Sequence, residues 1–438
     1  MLFCSLALLA ALAPCPDDAS LMCGTHQVGL GDGKTTITLH LTVAKATGRD
    51  PAAEPLFVLA GGPGQAATEV GPMLLPAFRY IRRRRDIVFV DQRGTGKSAR
   101  LPCKMQGDTL ADLVQNELDP ERIKTCRENL PFDPRYFTTP YAADDIDAVR
   151  QHLGYKEIHL FGASYGTRLA LVYARRHKDH LRSMVLDGVA PFAIKLPLHM
   201  GEDASAARDN IEADYGDLDL ASVWHSLPRD VVVRDPHTAE RQTLHLTKDA
   251  AMSILRAALY SSALVPILPL VVEEARRANF EPLLALASLQ QGGDVSLGLY
   301  LSVVCAEDIP SITEDEKNAL QDGPWFGKAA VDRLQKACAI WSVPPMNARY
   351  YDAVKSDTRS LLLSGKDDPA TPPRWAKEAA KTLTNATLVT VPNIAHGTWH
   401  SGCVAKEIAN FVDDKVADFS CAQKQKRLPP FRSMTGAR

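Results

Sequence analysis

The sequence predicts an α/β fold with a mostly parallel central sheet. Several short apolar runs stop at glycine-rich turns, which is typical of strands buried on both faces of a parallel sheet. Amphipathic helix patterns lie between these runs, and such alternation favours an α/β architecture. A long helix-rich stretch then separates the early runs from the last two. We interpret that stretch as a cap inserted into the sheet-forming core.

The predicted elements follow in chain order. An alternating strand over Thr35–Ala46 has a hairpin partner near Gln27–Leu30. The buried runs and the helices between them are Pro55–Ala60, Asp86–Val90, helix Ala142–Leu153, Ile158–Phe161, helix Thr167–Arg176 and Met184–Leu186. Strands return after the cap at Ser360–Leu363 and Thr387–Val391.

The stretch after Pro191 is helix-rich, with a short hairpin around Val231–Thr247. Prolines interrupt its most apolar part, Ala257–Val272, so we expect packed helices there and no membrane span. The predicted segments are an N-terminal segment with a signal peptide (1–20), core (21–190), cap (191–355), core with the acid and the histidine (356–421) and a basic tail (422–438).

Composition excludes some classes of function. The chain has 438 residues, of which 45% are apolar and 23% charged, as in ordinary soluble enzymes. A net charge of −2 gives no basic surface for nucleic acid. No HExxH or clustered Cys/His pattern is present, so we expect no metal and no other cofactor.

The stretch VFVDQRGTGKSAR (88–100) resembles the end of a phosphate-binding loop. Such a loop needs a glycine five residues before its Gly-Lys-Ser, so that backbone N–H groups wrap the phosphates. Asp91 occupies that position and would set a carboxylate against phosphate oxygens. We therefore expect this loop to shape the core near the active site and to bind no nucleotide.

The most specific motif is GASYG, which follows the strand IHLF and opens a helix. Small residues on either side of Ser164 allow the tight strand-to-helix turn that exposes a nucleophilic hydroxyl. An oxyanion hole then needs two backbone N–H groups. We expect one from Tyr165, directly after the serine, and one from Gly62 in the GGPG loop after PLFVLA.

A nucleophilic serine needs a histidine base oriented by a carboxylate, in the chain order Ser, acid, His. Asp368 and His396 follow the last two strands in that order. Asp367 and the more remote Asp187 compete for the acid position, and His400 competes for the base. The His-Gly pair on the strand-exit loop favours His396.

Taken in order, GGPGQ, DQRGTGKS, GASYGT, VLDGV, DPATP and AHG resemble the proline iminopeptidase and tripeptidyl aminopeptidase group of α/β-hydrolases. The resemblance extends from about Cys23 to Cys421. Proline iminopeptidases usually read HGGPG and GGSWG, whereas this chain has Ala60 before the glycines and Tyr165 after the serine. It is therefore more similar to the exported, tripeptidyl-aminopeptidase-like branch.

Cysteines and the N-terminus predict export. The apolar start ends in Ala11-Leu12-Ala13, which resembles a signal h-region and cleavage site without its basic n-region. Setting Cys4 aside leaves eight cysteines, which suit disulfides in an oxidising compartment; buried cytosolic thiols are the alternative. Cysteine order and the resemblance imply the pairs Cys15–Cys23, Cys103–Cys126, Cys305–Cys338 and Cys403–Cys421. We expect a periplasmic or secreted protein.

The resemblance implies a serine exopeptidase that releases N-terminal residues or tripeptides from short peptides. Such an enzyme needs a group that binds the substrate ammonium, and Glu307 and Asp308 in the cap are the candidates. A solvated acidic pair or a helix cap is the alternative for both. An esterase or amidase acting on small uncharged substrates is the alternative function, and a non-catalytic binding protein is a third.

Overall fold

A computed structural model of the chain describes residues 12–103, 109–114, 118–235, 238–289, 295–320 and 325–431. The predicted signal segment and basic tail thus lie partly outside the described residues. Within the described residues the core is one nine-stranded sheet, which is mostly parallel and has antiparallel strands at one edge.

The strands have the following bounds. They are β1 Ala13–Pro14, β2 Met22–Gly29, β3 Thr36–Ala44, β4 Leu56–Leu59, β5 Ile87–Val90, β6 Ile158–Ala163, β7 Leu181–Asp187, β8 Arg229–Arg234, β9 Arg241–Leu246, β10 Arg359–Gly365 and β11 Ala386–Val391. Strands β8 and β9 form a separate antiparallel hairpin. The other nine form the central sheet in the order β1-β2-β3-β5-β4-β6-β7-β10-β11, in which all neighbours from β5 to β11 are parallel and the antiparallel strands lie at the β1 edge.

The helices lie between these strands and in the cap. They are α1 Ala67–Leu74, α2 Arg79–Arg82, α3 Leu110–Val114, α4 Pro120–Glu128, α5 Thr139–His152, α6 Tyr165–Arg176, α7 Met200–Tyr215, α8 Leu220–His225, α9 Lys248–Leu259, α10 Leu268–Arg276, α11 Glu281–Leu289, α12 Leu297–Glu307, α13 Glu314–Asn318, α14 Lys328–Trp341, α15 Pro373–Ala380 and α16 Val404–Val412.

The α/β prediction with a mostly parallel sheet is confirmed. All residues of β4 and β5 are buried, because parallel strands are covered by helices on both faces. The hairpin partner of β3 is longer than predicted and starts at Met22. Its side chains are half-buried or exposed, as expected at the edge of the sheet, and the apolar pattern that marks buried strands is weak there.

The stretch between β7 and β10 contains α7 to α14 and the β8–β9 hairpin. It has an apolar cluster of its own, in which Trp224 and Trp325 pack edge to face. The apolar segment 257–272 covers the end of α9 and the start of α10, with a short 3-10 turn at Val265–Ile267 between them. Among the described residues no helix is long and apolar enough to cross a membrane. The segment boundaries at 191 and 355 stay predictions.

The parallel arrangement brings the predicted motifs to one edge of the sheet. Strands β6, β7, β10 and β11 end at Ala163, Asp187, Gly365 and Val391, and these carboxyl ends are neighbours. The residues that follow each strand therefore meet at a common place. That place is where open α/β sheets bind their ligands.

Candidate active site

The loop after β6 holds Ser164 in an unusual backbone conformation. Its φ of 55° and ψ of −124° are rarely adopted by residues other than glycine and cost about 1–3 kcal/mol. The Ser164 N–H donates to the Asp187 carbonyl oxygen over 2.9 Å. The Ser164 side chain is partly exposed at the start of α6. This is the strand-to-helix turn that the sequence predicts.

Glycines on both sides of the turn are required for close packing. A Cβ atom added to Gly162 would lie 2.5 Å from the Gly166 carbonyl oxygen, and one added to Gly166 would lie 2.1 Å from that of Leu59. Any side chain at either position would therefore push β6, α6 and β4 apart. The spacing of glycines around Ser164 follows from this contact.

His396 and Asp368 are paired beside this turn. The Asp368 carboxylate and His396 Nδ1 are 2.7 Å apart, and Asp368 is fully buried. Asp368 also accepts hydrogen bonds from the backbone N–H groups of Ala370 and Thr371 and from the Thr371 hydroxyl. Every one of these bonds favours the ionised carboxylate.

The charges around His396 increase the basicity of its imidazole. Burial opposes the charged form of His396, but the Asp368 carboxylate outweighs this effect and raises the pKa of His396 above its ordinary value. Burial likewise acts to raise the pKa of Asp368, but the attraction and hydrogen bond of His396 lower it overall. The pair is therefore stable as a carboxylate beside an imidazole whose basicity is increased.

Gly188 lies between the turn at Ser164 and His396. It follows Asp187, whose carbonyl oxygen holds Ser164, and a Cβ added to Gly188 would lie 3.1 Å from His396 Cε1. On the other side a Cβ added to Gly61 would lie 3.1 Å from the Ser164 Cβ. The GGPG loop, Ser164, Gly188 and His396 thus occupy one site.

The competing residues have other partners. Asp367 forms an ion pair with Arg427 at 2.8 Å. Asp187 accepts hydrogen bonds from the N–H groups of Thr398 and Trp399, which lie just after His396. Burial raises the pKa of Asp187 to about 6, although those N–H groups oppose the shift. His400 is exposed and packs against Trp399.

The two backbone groups predicted for an oxyanion hole lie beside Ser164. Tyr165 is the first residue of α6, and the positive end of the helix dipole points towards the turn. Gly62 has a φ of 110° and is joined to Pro63 by a cis peptide bond. Tyr165 directly follows Ser164, and Gly62 directly follows Gly61, where an added Cβ would lie 3.1 Å from the Ser164 Cβ, so both stay the predicted oxyanion-hole donors.

The stretch VFVDQRGTGKSAR forms β5 and the loop after it. Asp91 is buried and accepts from the N–H groups of Thr68 and Lys97, so its carboxylate organises the loop. Gln92 donates to the Tyr165 hydroxyl over 3.1 Å. This loop therefore supports the residue that follows the nucleophile.

Glu307 and Asp308 lie at the end of α12, and both are 2% exposed. Glu307 accepts from the N–H and hydroxyl of Thr139, each at 2.7 Å, and from the Tyr350 hydroxyl. Both carboxylate oxygens of Asp308 accept from one Arg168 amino group, at 3.0 and 3.1 Å. Both carboxylates already have partners from the protein, so they join the cap to the core.

Sequence reasoning missed two residues at His396. The Thr371 hydroxyl is 3.2 Å from Nδ1 of His396, and the Tyr260 ring packs edge to face on the imidazole with centroids 5.0 Å apart. Thr371 lies in the DPATP motif, three residues after the acid, so that motif carried a signal. Tyr260 belongs to the cap, and no local pattern indicates that it contacts a residue 136 positions away.

Comparison with known proteins agrees with this geometry. Residues 54–222 match the α/β hydrolase fold family, and residues 323–418 match the TAP-like protein family. Serine protease Hip1 of Mycobacterium tuberculosis is 25% identical over 409 residues, which are 82% of this chain and 78% of Hip1. The two family models and this relative support a serine peptidase of the α/β-hydrolase type.

Other relatives of this peptidase are of the predicted group. Tripeptidyl aminopeptidase of Streptomyces lividans is 25% identical over 70% of this chain and 63% of that enzyme. A probable proline iminopeptidase of Streptomyces coelicolor is 33% identical over 32% of this chain and 34% of that protein. A solved proline iminopeptidase of Mycobacterium smegmatis gives a TM-score of 0.44 at 18% identity, covering 89% of this chain and 98% of that one.

Proposed function

We propose that this peptidase is an exported aminopeptidase that releases N-terminal residues or tripeptides from short peptides through Ser164, His396 and Asp368. The observation that carries the proposal is the buried Asp368–His396 pair, 2.7 Å between oxygen and nitrogen, beside the strained turn at Ser164. That is the arrangement needed to activate a serine hydroxyl.

The residues divide the reaction between them. Ser164 Oγ attacks the scissile carbonyl carbon while His396 takes the hydroxyl proton, and the carbonyl oxygen becomes an oxyanion held by the N–H groups of Gly62 and Tyr165. His396 then gives its proton to the leaving amine, and an acyl-enzyme remains on Ser164. Water attacks this ester with His396 as the base, and the acid product leaves. Asp368 holds the imidazole tautomer throughout.

The aminopeptidase assignment is supported by the relatives named above, one of which is by name a tripeptidyl aminopeptidase and one a probable proline iminopeptidase. Glu307 and Asp308 stay the sequence-based candidates for binding the substrate ammonium. Their protein partners favour the structural alternative, because a carboxylate that already accepts several hydrogen bonds has little capacity left for a ligand.

Export is supported by the cysteines. The four predicted disulfides are present, with Cα atoms 4.9, 5.5, 5.1 and 6.3 Å apart for Cys15–Cys23, Cys103–Cys126, Cys305–Cys338 and Cys403–Cys421. These separations lie in the range that a disulfide spans. Disulfides persist in the periplasm and outside the cell and are rare in the cytosol.

A substrate panel with a Ser164→Ala variant tests the proposal. The panel contains free-amine aminoacyl, tripeptidyl and N-blocked peptidyl chromogenic amides and short-chain esters. We expect the wild type to cleave free-amine amides best, and Ser164→Ala to lose several orders of magnitude in kcat with an unchanged circular dichroism spectrum. Equal cleavage of N-blocked peptides would exclude an aminopeptidase, and cleavage of esters alone would support the esterase or amidase. Retained activity in the variant would exclude the mechanism.

A further inference from the structure

Arg256 is a cation near the catalytic histidine. It lies on α9, one turn before Tyr260, and its guanidinium carbon is 5.1 Å from the centre of the Tyr260 ring. Its Nε atom is buried and has no hydrogen-bond partner among the described residues. Within the same described part of the chain, no carboxylate forms an ion pair with it.

The position of Arg256 is fixed relative to the catalytic site. Tyr260 packs its ring on His396, and the Tyr260 carbonyl oxygen accepts from the His396 N–H over 3.2 Å. Ser262, two residues after Tyr260, also contacts the loop that carries His396, because its hydroxyl accepts from the Ala395 N–H over 2.8 Å. The guanidinium therefore lies within about 10 Å of the imidazole.

The Arg256 side chain is partly buried, and its guanidinium interacts with the uncharged Tyr260 side chain. A guanidinium that loses hydration without gaining a counter-ion is costly. Some other arginines of the cap do have acidic partners. Arg276 and Arg277, for example, form ion pairs with Glu273 on the surface of α10. The cost at Arg256 is offset when a ligand supplies the missing negative charge. Guanidinium groups bind carboxylates in a bidentate manner, and this favours a carboxylate ligand.

We propose that Arg256 binds a carboxylate of the substrate, so that the peptidase prefers acidic over neutral substrates. An extended peptide spans about 3.3–3.6 Å per residue, so a carboxylate up to about three residues from the scissile bond reaches the guanidinium. Two sources share this chemistry, namely the C-terminal carboxylate of a short peptide and an acidic side chain. The proposal rests on the proposed hydrolytic function of Ser164.

Matched substrates test the proposal and separate the two sources. One series compares short peptides that end in a free acid with the same peptides ending in an amide. A second series, all with C-terminal amides, compares Glu with Gln at the positions flanking the scissile bond. We expect the wild type to prefer the carboxylate at least 10-fold in kcat/KM in one series, which identifies the source.

The Arg256→Gln variant should abolish that preference and change kcat/KM for the neutral substrates by less than about threefold. Arg256→Lys should keep part of the preference, because its charge remains but its planar fork is lost. Arg276→Gln is the matched control and should keep all of it. The absence of a preference in the wild type, or an equal loss on acidic and neutral substrates in Arg256→Gln, would overturn the proposal.

If no peptide is cleaved, the rates on the mono-4-nitrophenyl ester of succinate, which has a free carboxylate, and on the neutral 4-nitrophenyl ester of butyrate are compared instead. A preference for the succinyl ester that depends on Arg256 would uphold the carboxylate site even though the peptidase proposal had failed. Equal rates on both esters would overturn the site as well.

Discussion

At the scale of single residues, the proposed mechanism predicts how activity depends on pH through the Asp368–His396 pair. In that mechanism His396 accepts the serine proton only when its imidazole is neutral. Because Asp368 raises the pKa of His396 above its ordinary value near 6.5, kcat/KM should rise with pH through a midpoint above that value. Rate measurements on one neutral substrate across pH give this midpoint directly.

Asp368→Asn should lower kcat by about 10⁴-fold, as expected when an imidazole loses the carboxylate that orients it. The residual activity should also titrate at a lower pH, because the group that favours the imidazolium is gone. Asp367→Asn is the matched control, since Asp367 pairs with Arg427 and does not contact His396. A large loss of activity in the Asp367 variant with little loss in the Asp368 variant would contradict the proposal and make Asp367 the catalytic acid.

At the scale of elements, helix α12 fastens the cap to the core. Glu307 at its end accepts from Thr139 at the start of α5, and the Thr139 hydroxyl is also 2.7 Å from that of Tyr165. Asp308 pairs with Arg168 of α6. At the other end of α12, the Ser296 N–H donates to the Gly64 carbonyl oxygen in the GGPG loop. Both ends of α12 therefore contact loops or helices that carry the candidate active site.

Glu307→Gln tests whether this joint is structural. A glutamine side chain would turn one amide N–H₂ towards donors, which leaves buried groups unpaired and should lower the free energy of unfolding by about 1–3 kcal/mol. Urea unfolding measures the loss. Glu273→Gln, at a partly exposed position on α10, is the control and should change the free energy of unfolding by less than about 1 kcal/mol. We expect kcat/KM to fall equally for free-amine and N-blocked peptides; a selective loss on free-amine peptides would instead make Glu307 the group that binds the substrate ammonium.

Local pattern predicted the sheet and the site because both depend on short stretches of chain. The glycines around Ser164, and the order of Asp368 and His396 after successive strands, are visible in sequence since each is required by a turn or a strand end. The partners of Glu307 were not predictable. Thr139 is 168 positions away, and an acidic pair at a helix end has the same local pattern whether it is solvated or buried. The same holds for Arg256, whose place beside Tyr260 and His396 depends on how the cap packs.

At the scale of the whole molecule, disulfides lie within the core and within the cap. Cys305–Cys338 joins α12 to α14 within the cap, and Cys403–Cys421 joins the start of α16 to the segment that follows it. Closing loops of this length stabilises a protein by roughly 2–4 kcal/mol per bond, because the unfolded chain loses conformational freedom. The cap disulfide also holds the helix that carries Glu307, so its loss should loosen the joint with the core.

Thiol titration tests this network together with the proposed compartment. Of nine cysteines, only Cys4 lies outside the four pairs, and it belongs to the predicted signal segment. Mature protein from its native source, denatured without reduction, should therefore give almost no free thiol. Reduction should release eight thiols and lower the melting temperature, with the loss of activity following the loss of structure. Eight free thiols before reduction would place the protein in a reducing compartment and exclude export, while leaving the assignment of Ser164, His396 and Asp368 to be judged by its own variants.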